Sequence, residues 1–419
     1  MKKTKLLFVS ADNNHNKFYD MEQISDDRFI AHYGRVGSKG SKKEYPMSNW
    51  DKVYKSKTRK GYQDVTANHK VYKGKASGMD LSELKPKVRS LIEKLNQYAK
   101  EAFKLNYESE ISDISEHMVE KAQEYINEIN MYSDVGADRT KINQLLMTLY
   151  RTIPRKMKNV KDSLIQGDDK LTSEMLDKLN DKMSVEQGLL DVVQGQLDKL
   201  KADEDDTDDA IDDSKVLTAL DKLGLDIDEI SDKDEQMLKN LMNESKHRFV
   251  QAFEVTNYKT QKAFDKEVAS ASNKKTQLLF HGSKAENWLN IIRGGLVLHP
   301  NATTTGKLYS NGIYFADVAD KALGYIDGGR WNRQNNKQDN WLAVYDVHLG
   351  KQATSDDVDK DAGGRGRGSH IALHDWVPNN NYDSYFARKG KDSRYNLYRN
   401  EFIVYDEAKC TIKYLIQVN

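Results

Sequence analysis

The chain has 419 residues, carries 65 basic against 65 acidic side chains, and is 38% hydrophobic and 31% charged. Its length exceeds one ordinary core and points to roughly two to four domains, and its composition excludes a disordered chain. No apolar run approaches the roughly 18 residues of a membrane span, and the single cysteine, Cys410, excludes an internal disulfide and suits a reducing compartment.

Residues 1–76 read as a small antiparallel β module. The opening "MKKTKLLFVSA" has the basic lead of a signal peptide, but its apolar run, Leu6 to Val9, falls short of the usual ~7–15 residues, so a first strand is expected. "RFIAHYGRVG" is a further alternating run punctuated by glycine. In "NWDKVYKSKTRKGY", Trp50, Val53 and Tyr54 fall on helical spacing, with lysines on the other face. The zero net charge hides segregation. Arg35, Lys39, Lys42, Lys43, Lys52, Lys55, Lys57, Arg59 and Lys60 crowd this stretch, opposed by Glu44 and Asp51, whereas "DEDDTDDAIDD" at 203–213 is nearly all acid.

Residues 80–200 have few glycines and a 3.6-residue period, which predicts an all-α bundle. Met118, Val119, Ala122, Tyr125, Ile126 and Ile129 share one face, with Asp113 and Glu116 as a capping pair. Ile142, Leu145, Leu146 and Leu149 form a second stripe closed by Pro154; Leu176, Leu179, Met183, Leu190, Val193 and Leu197 make further turns. The acidic run at 201–213 is expected to be a solvated linker.

Residues 214–419 are mixed. "VLTALDKLGL" and "DEQMLKNLMNES" read as helices, and "RFVQAFEV", "QLLF", "GIYFAD", "WLAVYDVHLG", "EFIVYD" and "TIKYLIQV" as strands. Alternation within the strands and scarce crossover helices predict packed, mainly antiparallel sheets. The fold class expected for the whole chain is therefore multidomain α+β. Cys410, in "AKCTIKYLIQV", reads as a small buried residue and not as a nucleophile.

One short stretch, "QLLFHGSKAENWLNIIRGGL" at 277–296, ends an apolar run abruptly in His-Gly-Ser. Taken alone, His281 is weak, being one of ten histidines. Its weight comes from joint occurrence with "YSNGIYFADVADKALGY" (309–325) and "LYRNEFIVYDEAKCTIKYLIQV" (397–418). On these three contexts the chain resembles the catalytic domain of poly(ADP-ribose) polymerases, of the diphtheria-toxin-like ADP-ribosyltransferase class. The resemblance spans roughly 214–419. Its signature is a His, a Tyr and a Glu on three separate strands, here His281, Tyr314 and Glu401.

The chemistry of NAD+ cleavage makes sense of these residue types. Breaking the nicotinamide–ribose bond moves positive charge onto the sugar, giving an oxocarbenium-like transition state. Glycosidases facing that state need two carboxyls, one to protonate the leaving oxygen. Nicotinamide leaves neutral, so one carboxylate beside the developing cation is enough, and low local dielectric strengthens it. The resemblance assigns that task to Glu401, with a hydrogen bond to a ribose hydroxyl and, in polymerising relatives, activation of the acceptor hydroxyl. It implies that His281 bonds the adenosine ribose, that Gly282 pairs with the carboxamide with support from Ser283, and that Tyr314 and Tyr325 sandwich the nicotinamide ring. Lys321, Ala322, Phe315 and Ala316 complete the expected NAD+ pocket, and no metal is expected. Ala322 stands where relatives carry a serine; losing one neutral hydrogen bond costs about 0.5–1.5 kcal/mol, so NAD+ binding should weaken several-fold. Val297 and Lys307 also replace an arginine and a tyrosine near the adenosine end.

"HYGRVGSKG" with "YPMSNWDKVYKSKTRKGY" resembles the WGR domain of nuclear polymerases in this family, over about residues 5–75. Tyr33 occupies the name-giving Trp position, followed by Gly34 and Arg35. Tyrosine can stack on a DNA end with less area; Tyr33, Arg35, Lys39, Lys42 and Lys43 are the expected DNA contacts. "GRVGSKGSK" lacks Walker spacing, so an NTPase is rejected, and "GGRGRGSH" (363–370) reads as a flexible loop, not an RNA-binding tract. The 80–200 segment, with "LYRTIP" and "EMLDKLNDK", resembles the regulatory helical domain, which implies a gate on NAD+ access that DNA opens.

The resulting domain plan is 1–76 WGR-like, 80–200 regulatory helical, 201–213 acidic linker and 214–419 catalytic. The expected protein is a monomeric, intracellular, DNA-activated ADP-ribosyltransferase, without membrane partners, located in the nucleus of a eukaryotic host or the cytoplasm of a bacterial or virus-infected one. Its expected partners are DNA strand breaks and protein acceptors, possible self-modification included. The alternatives are mono-ADP-ribosylation and an inactive nucleic-acid-binding scaffold.

Overall fold

The computed structural model describes residues 2–66, 81–133, 135–205, 219–298, 308–326, 339–364, 371–392 and 395–419. The chain divides into two units, one built from Met1–Ser77 and Glu101–Glu204, the other from Gly78–Lys100, Asp205–Pro300 and Gly306–Asn419.

In the first unit, β1 (Lys3–Ser10), β2 (His15–Gln23), β3 (Arg28–Arg35), β4 (Ser41–Pro46) and β5 (Gln63–Asp64) form an antiparallel sheet in the order β4-β3-β2-β1-β5, followed in sequence after β4 by α1 (Trp50–Thr58). Alternation sends neighbours to opposite faces. Leu6 packs with Tyr19, Met21, Phe29, Ala31 and Trp50, while Leu7 packs with Phe18, Val36 and Val65. Strand β2 was not legible as a strand because polar "DNNHNK" precedes its apolar part. Asn13 and Asn14, both at positive φ, make the turn that folds it back.

The helical periodicities are realised in α2 (Pro86–Asn106), α3 (Glu116–Met131), α4 (Arg139–Thr152) and α5 (Ser173–Asp205). Met118, Val119, Ala122, Ile126 and Ile129 are buried on α3, and Ile142, Leu146 and Leu149 on α4. The expected Asp113–Glu116 cap is replaced by Ser115, whose Oγ accepts from the Met118 N–H at 3.2 Å. Asp113 is taken up in a short 3-10 turn before the helix. The stripes from Leu179 to Leu197 belong to one long helix, and α5 carries the first acidic residues to Asp205.

The second unit contains α6 (Ala219–Lys222), β6 (Leu225–Glu229), α7 (Asp232–Met242), β7 (Phe249–Asn257), α8 (Tyr258–Ser270), β8 (Thr276–Gly282), α9 (Trp288–Gly294), β9 (Ile313–Phe315), α10 (Ala319–Leu323), β10 (Asn340–His348), β11 (Gln352–Ala353), α11 (Ser355–Asp361), α12 (Leu373–Asn379), β12 (Ser384–Ala387), β13 (Glu401–Val404) and β14 (Cys410–Val418). One sheet runs β6-β7-β14-β10-β8 and the other β11-β12-β13-β9. Only the β11–β12 pairing is parallel among the described strands, so the mixed α/β, mainly antiparallel expectation holds. "VLTALDKLGL" does not continue as one helix: Gly224, at φ +66°, ends the turn after α6 and Leu225 opens a strand.

The core of this unit lies between the sheets, where Phe253, Val255, Trp341 and Leu415 meet Ile313, Phe315, Phe402 and Val404. Val88, Leu91, Ile92, Leu95 and Tyr98 of α2 belong to the same core. Lys85 and Lys94 add ion pairs to Asp228 and Asp339, each closing at 2.7 Å or less. Leu95 has no exposed surface; Leu95→Ala should therefore cost about 2–5 kcal/mol, read as an earlier denaturation transition by tryptophan fluorescence.

Candidate active site

Strand β8 lies at the edge of its sheet, with His281 opposite Ala343 and Gly282 opposite Leu342 of β10. Its free flank meets the second sheet through a two-bond bridge: Phe280 N to Ala316 O at 2.8 Å and Ala316 N to Phe280 O at 3.0 Å. This bridge places the His281 ring against β9, where Nδ1 is 3.0 Å from the Tyr314 carbonyl oxygen. A carbonyl only accepts, so Nδ1 carries the proton and Nε2 of the neutral ring is left as an acceptor. Burial favours the neutral imidazole and pulls the His281 pKa below its usual value, opposed by the hydrogen bond to the Tyr314 carbonyl, which favours the protonated ring. Trp288, Phe315 and Tyr345 surround the ring edge-on, at centroid distances of 6.4, 5.9 and 6.0 Å.

Tyr314 faces Ile403 across the β9–β13 ladder, and Glu401, two residues earlier on β13, shares that face. The Tyr314 hydroxyl donates to Ser310 O at 2.7 Å and accepts from Tyr309 N at 2.9 Å, which pins the ring. Burial raises the Tyr314 pKa well above its usual value, so the phenol stays protonated. Glu401 is 3% exposed; one carboxylate oxygen, Oε1, pairs with the Lys321 ammonium, and Oε2 makes no hydrogen bond to any of the described residues. The Tyr325 ring is 49% exposed and lies within electrostatic reach of both Lys321 and Glu401. His281, Tyr314, Glu401, Lys321 and Tyr325 thus converge.

The remaining expected pocket residues divide. A Cβ on Gly282 would stand 2.0 Å from the Ala322 carbonyl oxygen, so the absence of a side chain is required by the close approach of α10. Ser283 Oγ accepts from Asn287 Nδ2 at 3.2 Å. Phe315 alternates away from Tyr314 into the core, and Ala316 gives its backbone to the bridge. Ala322 is buried on α10 among apolar side chains. Val297 is exposed, and Lys307 lies outside the described residues. Burial pushes the Cys410 thiol up to about 12, in keeping with a buried, unreactive cysteine. Among the described residues no group of three or more His, Cys, Asp or Glu could hold a metal, and no helix is long and apolar enough to cross a membrane.

Sequence reasoning missed four residues around Glu401. Arg399 forks onto the Asp320 carboxylate, with Nη2 2.7 Å from Oδ2, and Asn400 Nδ2 is 2.7 Å from Asp317 Oδ2. Adjacency to Glu401 was the available signal.

On the first unit, Tyr19 and Tyr33 stack at 5.3 Å and 19°. They line a depression of about 480 Å³ with Lys43, Tyr45, Lys52, Lys57 and Lys60. Lys57 Nζ sits 3.8 Å over the Tyr19 ring, and burial followed by repulsion from Lys60 and Lys17 lowers its pKa. Of the expected contacts, Tyr33 and Lys43 lie here. Lys39 and Lys42 are exposed and do not line it. Arg35 is spent internally: Nη1 donates to Asn14 O at 2.7 Å, and Nη2 to Met157 O and Lys158 O at 2.8 and 2.7 Å. Lys52, Lys57 and Lys60 were read as part of a basic stretch opposite the apolar helical residues, and only the sheet opposite gives them a common hollow.

Residues 227–419 match the family description "Poly(ADP-ribose) polymerase catalytic domain", and residues 3–69 match "WGR domain". Poly [ADP-ribose] polymerase 2-A of Oryza sativa subsp. japonica is 24% identical over 482 residues, covering 98% of this chain and 69% of that protein. Poly [ADP-ribose] polymerase 2 of Arabidopsis thaliana is 25% identical over 494 residues, covering 98% and 72%. "Uncharacterized protein 101L" of Invertebrate iridescent virus 6 is 30% identical over 198 residues, covering 46% and 77%.

Because the Ala322 carbonyl is backbone and cannot swing aside, Gly282→Ala should displace α10 by the order of an ångström. The expected result is a fall in kcat/KM for nicotinamide release of about 10²-fold, with the protein still folded by circular dichroism.

Proposed function

The chain belongs to the poly(ADP-ribose) polymerase family and is an NAD+ ADP-ribosyltransferase, and from that premise we propose that it is activated by DNA and builds poly(ADP-ribose) on protein acceptors, with Glu401 as its central catalytic residue. The observation that carries the reading of the site is the convergence of His281, Tyr314 and Glu401 from three strands, with one buried Glu401 oxygen making no hydrogen bond to any of the described residues. A buried acceptor in that condition suits a ribose hydroxyl as its donor. NAD+ is the substrate, and its cleavage supplies the ADP-ribosyl group.

In this reading the Glu401 carboxylate faces the positive charge that develops on the ribose, in a site where preorganised charge acts more strongly than in water. Lys321 fixes the orientation of Glu401 through Oε1 and leaves Oε2 for the sugar. The pinned Tyr314 ring and the half-exposed Tyr325 ring hold the nicotinamide between them. His281 Nε2 accepts from the adenosine ribose, and the Gly282 backbone takes the carboxamide. Tyr19, Tyr33 and Tyr45 offer stacking surface for exposed bases, and Lys43, Lys52, Lys57 and Lys60 supply phosphate contacts. The acceptors are proteins, and the setting is the response to broken DNA.

Labelled NAD+, with and without nicked DNA and with products resolved by size, tests this. Long ladders that require DNA are expected, and Glu401→Gln should abolish them. A single discrete band would move the assignment to mono-transfer; undiminished ladders from Glu401→Gln would remove Glu401 from its role.

A gate in the helical segment is the second half of the proposal. Since Val88 to Tyr98 belong to the catalytic core, the informative deletion keeps α2 and replaces residues 107–205 by a short Gly/Ser linker. This variant should turn over NAD+ without DNA; a soluble but silent variant would mean that the segment is not a gate.

A further inference from the structure

Strand β13 is held on one flank by β12, where Glu401 faces Ala387. On the other flank the β9 ladder begins at Phe402, opposite Phe315. The residue after Phe315, Ala316, has given both of its backbone groups to Phe280. Glu401 therefore sits just past the end of the β9–β13 ladder, at the position where the chain needs its carboxylate fixed.

Side-chain pairs take over there, one from each of three consecutive residues. Arg399 Nε lies 3.2 and 3.1 Å from the two Asp320 oxygens and its Nη2 2.7 Å from Oδ2. Asn400 Nδ2 donates to Asp317 Oδ2 at 2.7 Å, and its own Oδ1 accepts from Lys389 N at 2.9 Å. Glu401 pairs with Lys321. All three partners lie on α10 or the turn leading into it, and Asp320 is the immediate neighbour of Lys321.

We propose that Arg399 and Asp320 are positioning residues for ADP-ribosyl transfer: their fork sets where α10 presents Lys321 to Glu401, and so where the Glu401 carboxylate stands. The inference rests on Glu401 having the role given above. A planar guanidinium on a carboxylate fixes direction as well as distance, which an ammonium does not. The hydrogen bond from Arg399 holds the Asp320 carboxyl below the usual carboxylate range, so both partners are charged throughout the neutral range. Their side chains are 39% and 46% exposed, and an ion pair that open to solvent contributes little to folding. What the fork supplies is alignment.

Steady-state kinetics of the full chain with nicked DNA separate alignment from stability. Arg399→Ala and Asp320→Ala should each lower kcat about tenfold while KM for NAD+ stays within about twofold and Tm is unchanged. The double variant should be no slower than the slower single, because both remove one contact. Arg399→Lys should recover only part of the loss. The inference is overturned if the single variants keep wild-type kcat, if their losses multiply in the double variant, or if Tm falls in step with kcat. Glu401→Gln is run beside them. Loss of transfer there with normal single variants sinks the positioning role alone, whereas undiminished transfer sinks the reading of Glu401 and this inference with it.

Discussion

Two backbone hydrogen bonds between Phe280 and Ala316 join the edges of two sheets that share a core but otherwise have separate ladders. Where they fall decides the site. They put His281, the next residue on β8, beside the Tyr314 carbonyl, two residues before Ala316 on the other strand. They also end the β9–β13 ladder one residue short of Glu401. A histidine whose protonated nitrogen is assigned by a carbonyl, and a glutamate whose carboxylate is steered by side chains, are both consequences of that junction. Gly282 extends it, since only a residue without a side chain lets the Ala322 carbonyl come so close.

The strands that carry the site were legible because each is a short apolar run ending in polar residues with chemical meaning: "QLLFHGS", "GIYFAD", "NEFIVYD". Elements without that contrast were not. Helix α8 buries only Phe264 fully, so it has no stripe to find, and β12 is four residues long. The capping of α3 was misassigned because Asp113, Ser115 and Glu116 all have side chains able to cap, and which one serves depends on where the preceding turn closes. The helical stripes were recovered, yet what α2 buries against was not. The apolar face of α2 reads like those of α3 and α4, but Val88 to Tyr98 pack with Phe253 and Trp341. Periodicity says that a face is buried; it carries no information about what covers it.

Charged residues show the same limit more sharply. Arg35 looked like a phosphate ligand in a lysine-rich loop, but its guanidinium binds the carbonyls of Met157 and Lys158, 122 and 123 residues on. Arg399 and Asn400 meet Asp320 and Asp317 across 79 and 83 residues. In both cases the residue type is right for several tasks, and the fold selects one. A hollow of tyrosines and lysines is the converse: Tyr19, Tyr33 and Lys57 are unremarkable singly and acquire a shared surface only when β2, β3 and α1 come together.

Glu401 shows why such long-range pairing matters chemically. A buried carboxylate needs a partner for its charge, and a cation within contact is the usual one. Lys321 supplies it, but at one oxygen only. In the proposed role, pairing both oxygens would leave none for a sugar hydroxyl, and pairing neither would leave a buried charge without a partner. One pair on one oxygen satisfies both demands. That solution tolerates little freedom in Lys321, because rotation of the ammonium toward Oε2 would close the open side. The constraint therefore passes from the carboxylate to α10, a helix of five residues too short to hold its own orientation. It is set instead by Gly282 beneath Ala322 and by the acidic residues that meet Arg399 and Asn400.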